Sequence, residues 1–308
     1  MKNLKVFIVT YRRANILNKT LDRLFNQTDF SLVDNSEVYI INNHTEFSLD
    51  DEFVDKVTVL HNMTRPDWDT GNLARNWNEA LLHGFKDLDN PDAKIVVTMQ
   101  NDIVLHPNWA TNLLKLHQKY TFVTGCLGDN IVSYRPAAVK KIGMWDERFT
   151  SPANKEADYY LRALVFNKDK SMIADAIHRR LLNAQDALPL DENVYQGGET
   201  EWRNIKSTEA SREAWYHGSQ VFYHKWKDTW KEQPSYKGWL TNWSQDFVEN
   251  PPSPPKCLNY AQYPYFERAI ELKGKNYLGW RLGDFWLDEG KCHDIDVHPF
   301  KENQGFRE

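Results

Sequence analysis

Val6-Phe7-Ile8-Val9-Thr10-Tyr11-Arg12-Arg13 is an apolar run that breaks abruptly into polar and cationic residues. Four consecutive apolar residues lack the alternation of a half-exposed strand, so they predict a strand buried on both faces. Behind it, residues 14–26 place Ile16, Leu17, Leu21, Leu24 and Phe25 on one side of a helix. The same pattern then recurs. Val38-Tyr39-Ile40-Ile41 and Val57-Thr58-Val59-Leu60 read as strands, and residues 72–85 as a helix with Leu73, Trp77, Ala80, Leu81 and Gly84 on its apolar stripe. Ile95-Val96-Val97-Thr98-Met99 reads as a fourth strand, followed after Pro107 by a helix aligning Trp109, Leu113 and Leu116. This alternation predicts an α/β fold, a mostly parallel central sheet flanked by helices.

Further along, Phe122-Val123-Thr124, residues 130–134 and Ser171 to Ile177 read as short strands, and residues 155–167 as a helix. Gly197-Gly198 and the Trp/Tyr/Lys-rich segment 209–231 are read as a mobile lid that orders over a bound ligand. Pro251-Pro252-Ser253-Pro254-Pro255 is a stiff linker signal, making residues 1–250 the main domain and residues 251–308 an appended arm or lobe.

The bulk numbers narrow the function classes. A net charge of −5 with no basic run gives a nucleic-acid partner no electrostatic support. Cys126, Cys257 and Cys292 are odd in number and without a CxxC pair, which excludes a disulfide scaffold and a zinc-thiolate site and fits a reducing compartment. No apolar run approaches the roughly 20 residues of a membrane span, and the first strand begins too close to Met1 for a leader. A cytoplasmic location is the expectation. Twelve Trp, fourteen Tyr and fifteen Phe offer faces that could stack on sugars, although most aromatics pack cores.

Ligands of such sheets sit beyond the carboxyl ends of the strands. The first strand ends in Thr10, Tyr11 and Arg13, the second in Asn42 and Asn43, the third in a polar stretch that includes Gly71 and leads to Arg75, and the fourth in Gln100, Asn101 and Asp102. Polar residues recurring at successive strand ends suit a nucleoside diphosphate, with Arg13 and Arg75 as guanidinium partners for phosphate. Asp102 suits a divalent cation, Mn²⁺ or Mg²⁺, that neutralises a departing diphosphate with help from phosphate oxygens and a distant His. The alternative role for Asp102 is a cap on the turn before the helix that follows Pro107. His61, His106 and His117 are expected on surfaces or turns.

These motifs, in this order, resemble the GT-A glycosyltransferases of family 2 and their relatives. Val9-Thr10-Tyr11-Arg12-Arg13 is similar to the family's P-T-Y-N-R opening, and Ile40-Ile41-Asn42-Asn43-His44-Thr45 to its V-V-D-D-G-S turn at the nucleotide base. Gly71-Asn72-Leu73-Ala74-Arg75-Asn76 resembles G-x-x-x-A-R-N beside the pyrophosphate, and Gln100-Asn101-Asp102 stands where the family has D-x-D. Residues 143–149 resemble G-x-F-D-E-x-F, residues 156–162 resemble E-D-x-D-x-x-x-R, and Tyr223-His224-Lys225-Trp226 resembles Y-x-x-K-W. The resemblance implies a nucleotide-sugar-binding half at 1–125 and an acceptor-binding half with a lid at 126–250. It places Glu156 at the catalytic base, with Asp158 as an acceptor-positioning or structural acid, and His178 as a metal ligand beside Asp102. His217 and His224 are rivals for that role.

The departures from the family pattern have consequences. Asn42 and Asn43 replace an Asp pair and can donate as well as accept, which loosens the usual uridine preference. The D-x-D triplet keeps only its last carboxylate. The expected activity is hexosyl transfer from a nucleotide sugar, UDP-linked before GDP-linked, to a hydroxyl of a glycan or glycoconjugate, metal-assisted and inverting. A homo-oligomer is compatible with the sequence. The competing readings are a silent carbohydrate-binding scaffold and a sugar nucleotidyltransferase, and the latter lacks its glycine-rich loop between Thr10 and Asn15.

Overall fold

The structure, a computed structural model, describes residues 1–11, 13–62, 73–124, 130–147, 149, 155–156 and 158–159. Its centre is a six-stranded sheet in the order β3-β2-β1-β4-β6-β5. The strands are β1 (Lys2–Thr10), β2 (Glu37–Asn42), β3 (Thr58–His61), β4 (Ala93–Gln100), β5 (Phe122–Thr124) and β6 (Ile131–Tyr134). β1 to β4 run parallel, while β6 is antiparallel to both β4 and β5. The mostly parallel sheet expected from the sequence is therefore present.

The helices are α1 (Ala14–Asn26), the single turn α2 (Asp51–Val54), α3 (Leu73–Phe85), α4 (Trp109–Lys119) and α5 (Pro136–Ile142). The first strand shows why its unbroken apolar run forms. Leu4, Val6 and Ile8 enter one core with Leu17, Leu21 and Leu24 of α1 and Trp109 and Leu113 of α4. Phe7 is also fully buried, stacking on Tyr39 at 4.7 Å. No helix among the described residues is long and apolar enough to cross a membrane.

Gly84 fixes how closely α3 can lie on the sheet. A methyl group there would overlap Val96 Cγ2 and come within 3.1 Å of Phe7 Cε2. Ala would gain about 1 kcal/mol in helix propensity, but overpacking a filled core costs about 1–3 kcal/mol. The steric term wins because Phe7 and Val96 are themselves enclosed. Gly84→Ala is expected to lower unfolding free energy by up to about 2 kcal/mol net, measured by urea denaturation; a raised midpoint would contradict this packing.

One histidine departs from expectation. His117 is 4% exposed, not on a surface or turn. Its Nδ1 lies 3.0 Å from the Tyr120 carbonyl and its Nε2 2.8 Å from Ser133 Oγ. A carbonyl only accepts, so Nδ1 carries the proton and Nε2 accepts from the Ser133 hydroxyl. Burial, with Arg135 adding repulsion, pushes the imidazole down to about 3 against the smaller upward pull of the Tyr120 carbonyl. His117 holds the end of α4 onto β6. His61 and His106 are exposed as expected.

Candidate active site

The chain leaves β1 toward β2 and β3 on one side, then returns to β4 on the other. A crevice for a ligand opens beyond the carboxyl ends at such a reversal. Thr10 pairs in register with Asn42, and Val9 with Gln100, so the three strand ends lie at one level. Side chains clasp the junction: Asn101 Nδ2 donates to Thr10 Oγ1 at 3.0 Å, and Thr20 Oγ1 of α1 donates to the Asn101 carbonyl at 2.6 Å. Asn43 N–H donates to the Thr10 carbonyl at 3.0 Å. Thr10, Asn43 and Asn101 are thus brought together. Asp102 follows at once, half-buried at the same edge. The start of α4 is taken by Asp29, whose carboxylate accepts from Ala110 N and Thr111 N at 3.1 and 2.9 Å. Asp29 thus caps the N-terminus of α4.

The two asparagines have different surroundings. Asn42 closes its own turn, with Oδ1 accepting from His44 N at 3.1 Å and Nδ2 donating to the His44 carbonyl at 2.7 Å. Nδ2 also lies 3.1 Å from His61 Nδ1, tying the end of β2 to that of β3. Asn43 is 2% exposed, and its Oδ1 has no hydrogen-bond partner among the described residues. Beside them, Tyr11 meets His44 edge-on at 5.1 Å. Arg13 adopts φ 56°, ψ 52° as the N-cap of α1. Left-handed backbone on a non-glycine residue costs energy and is commonest where a site demands it.

Polar burial is also heavy in the first turns of α3. Asn76, Asn78 and Glu79 are 0, 1 and 5% exposed. Glu79 accepts from Asn62 Nδ2 at 2.5 Å, joining α3 to the end of β3. Arg75 Nε lies 3.3 Å from Glu147 Oε2, with the Arg side chain 25% exposed and the Glu 2%. Asn78 donates from Nδ2 to Glu147 Oε1 at 2.8 Å and to the Trp145 carbonyl at 2.9 Å, and its Oδ1 accepts from Trp145 N at 2.8 Å. The Trp145 ring stacks on Tyr159 at 4.2 Å and donates from Nε1 to Tyr134 OH at 3.0 Å.

Residues 155–156 and 158–159 are helical and fall within the helix expected over 155–167. Glu156 and Asp158 are 3 and 0% exposed. Lys155 Nζ lies 3.5 Å from Glu156 Oε2, and both side chains are buried. Gly71, Arg12 and His178 fall outside the described residues, as do the expected strand 171–177, the lid, the 209–231 segment with His217 and His224, and the arm beyond 250.

Among the described residues no three His, Cys, Asp or Glu side chains gather as a metal cluster. Among the described residues the edge offers oxygen and amide ligands together with the carboxylate of Asp102. That set fits a hard cation to which a diphosphate supplies further oxygens. Asn78 was given no role from the sequence, and Trp145 and Glu147 entered only as members of the 143–149 motif. The signal available was a carboxamide placed inside the buried face of an amphipathic helix.

A mostly parallel α/β sheet with polar strand ends clasped across its reversal is the framework on which nucleotide-binding domains are built. The model of glycosyl transferase family 2 matches residues 5–159, just over half of the chain, and the protein belongs to this family of enzymes that transfer sugar from nucleotide sugars. No curated protein matches the chain. Among solved structures it is similar to mannosyltransferase PcManGT from Pyrobaculum calidifontis in complex with GDP-Man and Mn²⁺, at 12% identity over 91% of this chain and 82% of that one, TM-score 0.39. It is also similar to S. aureus TarS 1-349, at 12% identity over 73% and 85%, TM-score 0.36. A third is glucosyl-3-phosphoglycerate synthase from Mycobacterium tuberculosis in complex with Mn²⁺, UDP and phosphoglyceric acid, at 14% identity over 46% and 58%, TM-score 0.30.

Proposed function

We propose that the chain moves a hexose from a nucleoside-diphosphate sugar, UDP-linked in preference to GDP-linked, to a hydroxyl of a glycan or glycoconjugate in the cytoplasm. The observation that carries this reading is the Thr10–Asn101 clasp at the sheet reversal, with Asn43 and Asp102 on either side of it. Asn43, tied to the Thr10 carbonyl at the sheet reversal, supports a carboxamide contact with a base N–H, which uracil and guanine both offer at their pairing edge. Arg75 and Arg13 face the diphosphate, where guanidinium forks match phosphate oxygens.

Asp102, with His178, would hold Mn²⁺ or Mg²⁺, which supplies charge neutralisation for the departing diphosphate. Glu156 accepts the proton of the acceptor hydroxyl as that oxygen bonds to the sugar's anomeric carbon. The bond from that carbon to the diphosphate breaks, and its electron pair leaves with the nucleoside diphosphate. Attack opposite the leaving group inverts the anomeric centre. Asp158 positions the acceptor.

Nucleotide screening tests the reading. UDP with Mn²⁺ at about a hundred times its Kd is expected to stabilise the fold by about 2.7 kcal/mol, a rise in Tm of several degrees. UDP without cation should give a smaller shift, and Asp102→Ala should remove the cation's increment. Absence of any shift with UDP, GDP, CDP or dTDP, with or without Mn²⁺, would refute it.

A further inference from the structure

We propose that Asn78 and Glu147 are positioning residues that aim the Arg75 guanidinium at the donor diphosphate, an inference that rests on the role given to Arg75 above. Arg75 and Asn78 lie three residues apart in α3, hence on one face of the helix. Glu147 comes from a segment 72 residues away from Arg75 and puts one carboxylate oxygen on each of them. A guanidinium bonded through Nε to a fixed carboxylate has its plane fixed as well, so its terminal N–H groups point in a set direction.

The carboxylate is itself immobilised. Asn78 grips Trp145 two residues before it through both N–H and C=O, replacing the pairing a neighbouring strand would give. Both ends of the carboxamide take part in that grip: Asn78 Oδ1 accepts from Trp145 N, and both Nδ2 protons are used, on the Trp145 carbonyl and on Glu147 Oε1. A buried carboxamide held by three hydrogen bonds is a rigid part, and here it locks the element holding Glu147 to the helix carrying Arg75. The same Trp145 stacks on Tyr159, three residues beyond Glu156. Donor-side cation and acceptor-side helix are therefore registered on one side chain.

Glu147→Gln separates positioning from folding. Asn78 has only its Nδ2 to offer position 147, so the new amide must turn its oxygen to Asn78 and its NH₂ toward Arg75 Nε. The grip on Trp145 survives and the aim of Arg75 does not. The expected result is a rise in donor KM of about tenfold, the worth of one charge-assisted hydrogen bond, with kcat changed less than threefold. Arg75→Ala is expected to raise donor KM at least as much. Because Glu147 acts through Arg75, the double variant should match Arg75→Ala alone rather than show the product of the two effects. A merely structural Glu147 would lower Tm and kcat without this non-additivity.

An unchanged donor KM in Glu147→Gln, or multiplicative effects in the double variant, overturns the relay while leaving Arg75 as a donor ligand. An unchanged KM in Arg75→Ala overturns both the relay and the assignment beneath it. Near-UV circular dichroism of each variant, taken at the assay temperature, confirms that folded protein is being compared.

Discussion

Glu156→Gln is expected to bind a nucleotide donor as the native chain does and to transfer sugar about 10²- to 10⁴-fold more slowly, the usual contribution of a positioned base. The carboxamide keeps the size of the side chain and one acceptor oxygen but takes up no proton. The substitution has a second effect that the structure makes explicit. Glu156 and Lys155 are paired at 3.5 Å with both side chains buried, so removing the carboxylate charge weakens compensation of a buried ammonium. The variant should therefore also melt earlier, and transfer must be compared well below its Tm. Initial rates of acceptor glycosylation, set beside the donor Kd from calorimetry, check the result. Turnover near the native rate would remove Glu156 from the base role.

His117 carries the other large effect. In the unfolded chain the imidazole protonates near its ordinary 6.5, whereas in the fold it stays neutral down to about 3. Its folded value is depressed, so its full contribution is present above 6.5 and is lost as pH falls through the window toward 3. The unfolded state binds the extra proton there, and stability declines by about 1.4 kcal/mol per pH unit from this group alone. His117→Gln retains a donor and an acceptor but cannot titrate. Urea midpoints between pH 7 and pH 5 should fall more steeply in the native protein than in this variant. Parallel declines would show that His117 takes no part in the acid sensitivity.

The sheet was legible because its central strands, β1 and β4, are apolar on both faces. β1, α1, α3 and α4 lie where periodicity puts them, and the strand ends carry the polar residues by which the family is recognised. Direction was harder to read. The run 130–134 has the same composition whether it enters the sheet parallel or antiparallel, and only the structure turns β6 against β4. Polar identity also misled. His117 follows Leu113 by one helical turn, on the buried side of α4, but a titratable side chain there reads as exposed until Tyr120 and Ser133 are seen to satisfy it. Asn78 was obscured in the same way. The Arg75–Glu147 pair joins residues 72 apart, a distance at which local pattern holds no information. The left-handed backbone of Arg13 has no mark in the sequence either, since glycine would be the usual occupant.

The Thr10–Asn101 clasp also bears on the order in which the molecule assembles. It joins side chains 91 residues apart, while β1 finds β2 after some thirty residues and β4 finds β6 at similar range. Loop-closure entropy grows with the length enclosed, so the β1–β4 pairing is the slowest contact for the chain to win. The two flanks of the sheet can take shape as separate local units, and the edge where Thr10 meets Asn101 exists only once they have merged. Competence to hold a donor is thus gained late on the folding path.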